Sequence, residues 1–460
     1  MTDKITTWQA FLDANEARHD EEFFDLVRIP TVSTDPAHAA DMRRGAEWVA
    51  ARLTAAGVPG VELLESPGHP VVCGTWHGVE DGRTVLVYGH YDVQPADPLE
   101  LWETPAFEPT VRDGRVYARG AADMKANLVT VIQAVESLAA EHGQPPLNLT
   151  FFLEGEEEIG SAHTPDVVAE HRDKLRADVV LSCDGGMESP ERAALLVGLK
   201  GITGCQLDLS IGTSDMHSGQ YGAAVPNALR AMAELAASFH GADGRVAVDG
   251  FYDDVIDLTS AERQEIELID QTDEQLEEEA GVYALWGEPD YTPVERQFAR
   301  PTLDFNGMWG GWQGDGVKTV TPCEAHLKVT CRLVPGQTPT TIVDLIRAHV
   351  AAHAPAGAKV HVVTNESGAG PYAIPRDNPF LITAQQVMTE VYGTPPLVVR
   401  SGGSVPITEA FKSTLGLETV TIGFGLPGSK IHAPNEWFRM EDLARARSTY
   451  ARYLEAAAGS

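Results

Sequence analysis

The chain has few cysteines, and their spacing matches neither a CxxC motif nor a zinc ribbon. Only five occur among 460 residues, and neither a CxxC pair nor a zinc-ribbon spacing is present. An odd number of scattered cysteines favours buried thiols in a reducing compartment over a disulfide framework. We therefore expect a cytoplasmic protein.

Long apolar runs and basic residues are also scarce. No apolar run reaches the length of about 18 residues that a transmembrane helix needs, and residues 1–30 lack the basic and apolar regions of a signal peptide. Lysine and arginine number 34 against 67 acidic residues, which gives a formal net charge of −33. A chain of this charge repels phosphate backbones. We expect neither a nucleic-acid nor a membrane partner.

The pattern of apolar residues predicts one α/β domain that is split by a second domain. Strand-like apolar runs alternate with helical periodicity between residues 84 and 183, which is typical of an α/β sheet with functional loops at its strand ends. Half-exposed strands and amphipathic helices follow in β-α-β-β-α-β order, and the first pattern returns near residue 378. We predict a mixed-sheet α/β domain over residues 1–196 and 374–460, interrupted by an α+β, ferredoxin-like domain over residues 197–373.

Several acids and histidines lie at predicted strand ends or loops of the α/β domain. Taken singly, each has an ordinary structural explanation: His90 as a loop histidine beside Asp92, Asp123 as a helix N-cap, and the run Glu156–Glu158 as a surface acidic turn. Taken together, nitrogen and carboxylate groups of this kind suit zinc, and sometimes manganese or cobalt. The full set of candidate ligands is His90, Asp123, Glu158, Asp184 and His432.

Six motifs give the chain a resemblance to a known family. They are GHYDVQP, ARGAADMKA, LEGEEEIGS, DMHSGQYG, SGGSVP and KIHAPNE, and they span most of the chain. In this order they resemble the M20 family of metallopeptidases, and most closely its dipeptidase branch, which includes carnosinase-like and cytosolic nonspecific dipeptidases. The resemblance implies hydrolysis of the amide bond of dipeptides or other short peptides with a free C-terminal carboxylate. N-acyl-amino-acid deacylation or desuccinylation within the same superfamily is the alternative, and a non-catalytic binding protein on the same fold is a remote one.

The resemblance also implies a two-metal site. Asp123 matches the carboxylate that bridges two divalent cations, most commonly Zn²⁺, with Mn²⁺ or Co²⁺ as alternatives, and the peptide bond after it is cis in the family. Glu158 and His432 match the other ligands of one ion. His90 and Asp184 match those of the second ion.

The remaining site residues are implied in the same way. Glu157 matches the general base for a water that bridges the two ions, and Asp92 matches the acid that orients His90. His217 matches a histidine that reaches the partner subunit's active site from the inserted lid, which is also the dimerisation domain, so a homodimer is implied. The matched substrate contacts are Arg332, for the carboxylate, with Thr319 and Ser404. The sequence departs from the family at Ala223, where glycine is common.

Overall fold

A computed structural model describes residues 7–269, 271–364, 368–401 and 406–460. The chain forms two compact units. The first comprises Met1–Val197, Ile374–Val399 and Val405–Ser460, and the second comprises Gly198–Ala373 and Arg400–Ser404.

The first unit is built on a mixed sheet, as the sequence predicts. Its strands lie in the order Glu62–Leu64, Val71–Trp76, Asn148–Glu154, Thr84–His90, Val179–Ser182, Thr419–Thr421 and Arg192–Leu199. The four strands from Asn148–Glu154 to Thr419–Thr421 are parallel, and their neighbours on both sides are antiparallel. Apolar residues fill Thr84–His90 and Asn148–Glu154, which are almost completely buried because both faces of a parallel sheet are covered.

Helices and short strands complete the first unit. The helices are Trp8–Val27, Ala39–Ala55, Ala126–His142, Thr164–Glu170, Pro379–Tyr392, Pro406–Ala410 and Met440–Ala457. Ala126–His142 is buried along most of its length and ends at Gly143, whose φ of 80° suits glycine. A small antiparallel sheet contains Thr110–Arg112, Arg115–Tyr117 and Trp437–Arg439, and a further strand is Met187–Ser189. The strand Leu397–Ser401 begins in the first unit, and its last two residues belong to the second.

The second unit contains a four-stranded antiparallel sheet. Its strand order is Thr302–Gly310, Glu324–Leu333, Gly201–Ser210 and Lys359–Thr364. The helices Ala228–Ser238 and Pro339–His353 share an apolar core with one face of this sheet, which explains the strict alternation of buried and half-buried residues along Gly201–Ser210. The other elements are Met216–His217, Ser218–Tyr221, Ser260–Glu267, Asp273–Ala280, Pro293–Ala299, Val320–Thr321 and Tyr372–Ala373.

Two predictions from composition can be compared with the structure. All five cysteines are buried and free. Among the residues that the structure describes, no helix is long and apolar enough to cross a membrane.

Candidate metal centre and active site

The candidate ligands lie at the carboxyl ends of the parallel strands of the mixed sheet. His90 is the last residue of its strand, Glu157 and Glu158 follow the neighbouring strand Asn148–Glu154, and Asp184 lies two residues beyond Val179–Ser182. Parallel strands place their carboxyl ends at the same edge, where α/β proteins commonly bind ligands. The fold therefore gathers residues that are far apart in the sequence.

Two groups of donor atoms share one carboxylate. The first group is His90, Asp123 and Asp184, and the second is Asp123, Glu158 and His432; within each group the donor atoms lie within 4.8 Å of one another. His90 Nε2 is 3.2 Å from Asp123 Oδ1, whereas His432 Nε2 is 3.0 Å from Asp123 Oδ2 and 3.2 Å from Glu158 Oε2. Asp123 thus turns one oxygen toward each group, which is the arrangement of a bridging ligand.

The charges around these groups indicate a place for cations. Burial, together with nearby Asp184, Asp123 and Glu158, raises the pKa of Glu157 well above its usual range. Burial and nearby acids likewise raise the pKa of Asp184. Hydrogen bonds with Asp123 and Glu158 raise the pKa of His432 to about 10. Three nitrogen or carboxylate donors per group are the number that a catalytic divalent ion such as zinc commonly takes from a protein.

The backbone around Asp123 and His432 is unusual. The Asp123–Met124 peptide bond is cis, as the resemblance implies. His432 has a φ of 62°, and Lys430 and Asn435 beside it have φ values of 56° and 63°. Non-glycine residues seldom adopt this left-handed conformation, which costs roughly 1–3 kcal/mol at each position and persists where surrounding contacts hold it. These three residues lie in one segment, residues 430–435, the His432 turn.

Asp92 contacts both His90 and the turn that contains the acids. His90 Nδ1 lies 3.1 Å from the main-chain oxygen of Asp92 and 3.3 Å from its Oδ1. The other carboxylate oxygen accepts a hydrogen bond of 3.1 Å from the main-chain N–H of Glu158. A ligating histidine needs a partner for its second nitrogen, and the main-chain oxygen of Asp92 supplies one.

The motifs assign no role to Gln94 or Glu156, but both have specific contacts. Gln94 Nε2 donates to Glu158 Oε2 at 2.8 Å and to the Glu158 carbonyl oxygen at 3.1 Å, which orients that acid. Glu156 belongs to neither donor group and is buried; its carboxylate accepts from the main-chain N–H of His69 at 3.2 Å and lies 3.0 Å from His163 Nδ1. The position of Gln94 inside the GHYDVQP motif was the one available signal for it.

His217 and Thr319 lie on or beside two short paired strands of the second unit. The strand Met216–His217 pairs with Val320–Thr321, and the Thr319 carbonyl oxygen accepts a hydrogen bond of 3.1 Å from the Ser218 N–H. His217 is exposed, and its Nδ1 accepts from the Gly219 N–H at 3.1 Å. A neutral ring that accepts at Nδ1 has its proton on Nε2, so His217 presents a hydrogen-bond donor.

Arg332 lies elsewhere in the second unit, on the strand Glu324–Leu333 opposite Ile202 and Thr302. It is half-buried. Burial, together with the positive charge of Arg332, lowers the pKa of Lys200 to about 8, so the cationic side chain of Lys200, which precedes the strand Gly201–Ser210, lies near Arg332. Ser404 lies outside the described residues.

Histidine and carboxylate groups gathered at the strand ends of a mixed α/β sheet fit a hydrolase of the metal-dependent class. A family model described as Peptidase family M20/M25/M40 matches residues 86–456. The chain belongs to the M20 peptidase family, as its motifs indicate.

Relatives and a solved structure agree with this assignment. The chain is 28% identical to the Cys-Gly metallodipeptidase dug1 of Schizosaccharomyces pombe, over 93% of each chain. It is 27% identical to the human Beta-Ala-His dipeptidase, over 90% of this chain and 81% of that one. The crystal structure of the M20 family metallo-carboxypeptidase Sso-CP2 from Sulfolobus solfataricus superimposes with a TM-score of 0.82 at 30% identity, covering 96% of this chain and 99% of that one.

Proposed function

We propose that the protein hydrolyses the amide bond of dipeptides or other short peptides that have a free C-terminal carboxylate. The observation that supports this most is the pair of donor groups that share Asp123 through its two oxygens. Two divalent cations, most commonly Zn²⁺, with Mn²⁺ or Co²⁺ as alternatives, would be held there by His90 and Asp184 on one side and by Glu158 and His432 on the other. A cytoplasmic location completes the proposal.

In this proposal Glu157 is the general base. When bound, paired cations supply Lewis-acid polarisation of the scissile carbonyl and lower the pKa of water. Glu157 accepts the proton of the attacking water and later delivers it to the departing amine. Burial and the charges of Asp184, Asp123 and Glu158 act on its carboxyl group, so Glu157 lies near the donor groups. Asp92 holds His90 in position.

Residues of the second unit bind the substrate in this proposal. Residues 197–373 act as an inserted ferredoxin-like lid and as the dimerisation surface of a homodimer. His217 donates a hydrogen bond from Nε2 to the oxyanion at the partner subunit's active site, a role that the contact of its Nδ1 with Gly219 supports. Arg332 binds the substrate carboxylate because a guanidinium group matches a carboxylate in shape, and the cationic surroundings of Lys200 favour an anion there. Thr319 and Ser404 are further substrate contacts.

Two alternatives share the same donor groups or the same fold. An N-acyl-amino-acid deacylase or desuccinylase would perform the same amide hydrolysis on a different acyl group, and a binding protein would perform none. The two relatives are named as dipeptidases, and the solved structure is that of a metallo-carboxypeptidase. All three favour a peptide substrate. Because one of them is a carboxypeptidase, the proposal includes short peptides longer than dipeptides.

A hydrolysis panel tests the proposal. Metal-free protein is reconstituted with Zn²⁺, Mn²⁺ or Co²⁺ and assayed with α-dipeptides, a β-alanyl dipeptide, tripeptides with free or amidated C-termini, and N-acetyl and N-succinyl amino acids. We expect metal-dependent cleavage of the free dipeptides and much slower cleavage of the amidated peptides. Preferential cleavage of the N-acyl amino acids would select the deacylase alternative. Two bound ions without cleavage of any substrate would select the binding protein.

A further inference from the structure

Glu436 has a carboxylate with four hydrogen-bond donors near the candidate metal centre, although it is not one of the ligands. It is fully buried. Its Oε2 accepts from Arg119 Nη1 at 2.7 Å and from the Gly120 N–H at 2.9 Å, and its Oε1 accepts from the Ala122 N–H at 2.8 Å and the Asp123 N–H at 3.1 Å. With two donors on each oxygen, the carboxylate has no lone pair directed at a cation.

These contacts connect the chain segments that contain three of the five ligands. Glu436 lies four residues after His432, at the end of the turn with three positive φ values. Its side chain binds the loop around Asp123, and its main-chain oxygen accepts from the Ala118 N–H at 3.1 Å. Arg119, also fully buried, donates from Nη2 to the Pro95 carbonyl oxygen at 3.1 Å, in the loop that follows His90.

A buried ion pair alone would not explain this arrangement. Arg119 supplies one of the four donors, and the other three are consecutive or nearly consecutive main-chain N–H groups that end at Asp123 itself. Hydrogen bonds from such N–H groups stabilise the carboxylate, and they also fix the backbone of the loop that donates them. The orientation of the Asp123 carboxylate, which has one oxygen toward each donor group, depends on that backbone.

We propose that Glu436 is a positioning residue that holds the Asp123 loop and the His432 turn in register for two cations. This inference rests on the proposed function, since it assumes that the two donor groups bind metal. Partners of metal ligands typically contribute 10–100-fold to metal affinity. Replacing Glu436 by glutamine preserves the shape of the side chain. The new NH₂ group takes the place of one carboxylate oxygen and faces the two hydrogen-bond donors that the oxygen accepted from, so the loop must shift.

The test is a Co²⁺ titration of metal-free protein, in which binding is measured by calorimetry and by the visible absorption of the bound ion. The Glu436→Gln variant is compared with the wild type and with Asp20→Asn. Asp20 is a matched control because it also pairs with a buried arginine of the first unit, Arg447, at 3.0 Å, but contacts no candidate ligand. We expect wild type and Asp20→Asn to bind two ions alike, and Glu436→Gln to bind at least one of them about 10–100-fold more weakly with an altered spectrum.

The outcomes are distinguishable. Fewer than two ions on the wild type would contradict the proposed function and this inference with it. Two ions on the wild type, bound equally well by Glu436→Gln, would overturn the positioning role alone, as would equal weakening in Asp20→Asn. If Glu436→Gln does not fold because the Arg119 charge is left unpaired, the double variant Arg119→Met/Glu436→Gln removes that charge. We expect the double variant to fold and to bind Co²⁺ weakly, because the amide of its new glutamine still faces the Gly120 or Ala122 N–H; wild-type affinity in it would overturn the inference.

Discussion

The two units of the chain differ in how they arrange the residues assigned to the active site. In the first unit, all five candidate ligands meet in two groups of donor atoms, and each group is internal to the unit. In the second unit, His217 and Thr319 lie at a pair of short strands, whereas Arg332 lies on the four-stranded sheet. Metal binding should therefore be a property of the first unit alone. Variants of the second unit should alter substrate parameters and leave the ions in place.

Glu157→Gln should have the largest effect and should separate chemistry from metal binding. Positioned general bases typically contribute 10²–10⁴-fold, so we expect kcat to fall at least about 100-fold while two ions remain bound. Steady-state kinetics and metal analysis on the same preparation check this. The neighbouring Glu158→Gln is the contrast, because it should lose an ion. Turnover close to wild type in Glu157→Gln would remove Glu157 from the role of base.

Arg332→Met should give the next largest effect, in the second unit. A charge-assisted hydrogen bond to a carboxylate contributes about 1.5–3 kcal/mol, so kcat/KM for a free dipeptide should fall roughly 10–100-fold, mainly through KM. Metal content should not change. Arg332→Lys should recover only part of the loss, because an ammonium group cannot bind a carboxylate with two parallel hydrogen bonds. Loss of an ion from Arg332→Met would break the distinction between the units.

Glu154 should give the metal-free first unit a pH-dependent stability. Its carboxyl group is fully buried and accepts from the hydroxyls of Tyr88, Ser161 and Thr164, and burial raises its pKa from 4.5 to about 7. Between these values the folded chain holds a proton that the unfolded chain has lost, so the contribution of Glu154 to stability falls as pH rises through this window. Glutamine keeps the shape without titrating, and the three hydroxyls can rotate to suit it.

Denaturant titrations of wild type and Glu154→Gln, both with chelator, measure this contribution. Relative to the variant, the wild type should lose up to about 3 kcal/mol of unfolding free energy between about pH 4 and pH 8. A constant difference across that range would contradict the raised pKa.

Ala223→Gly should have the smallest effect, confined to the loop of the second unit that follows His217. Ala223 has a φ of 63°, a conformation that glycine adopts without the steric cost of about 1–2 kcal/mol that other residues incur. Because glycine also gives the unfolded chain more freedom, we expect a net stabilisation of no more than about 1 kcal/mol. Thermal unfolding measures it. Ala224→Gly, next to it and without a positive φ, should destabilise; equal shifts in both variants would refute the strain at Ala223.

The strand ends could be predicted from the sequence because buried parallel strands appear as apolar runs. Thr84–His90 and Val179–Ser182 coincide with such runs, and His90 and Asp184 follow from them. The order of Glu157 and Glu158 could not be read from an acidic run, and it came from the family resemblance. The structure places Glu158 with Asp123 and His432, while the roles of both acids stay predictions.

The supporting contacts could not be predicted, because their partners are distant in the sequence. Glu436 binds a loop more than 300 residues earlier. Gln94 binds Glu158, and these two residues follow two different strands. Neither residue type nor local spacing indicates such a partner. The hydrogen-bond donor at His217 Nε2 likewise depends on the main-chain N–H of Gly219, which donates to His217 Nδ1. A sequence motif does not reveal a contact with the main chain.

Anomalous diffraction from crystals of the Co²⁺-reconstituted protein tests most directly whether Asp123 bridges two cations. We predict two peaks per chain about 3.5–4 Å apart, one beside His90 and Asp184 and the other beside Glu158 and His432, with Asp123 contacting both. A single peak, or two peaks that do not share Asp123, would contradict the two-metal site.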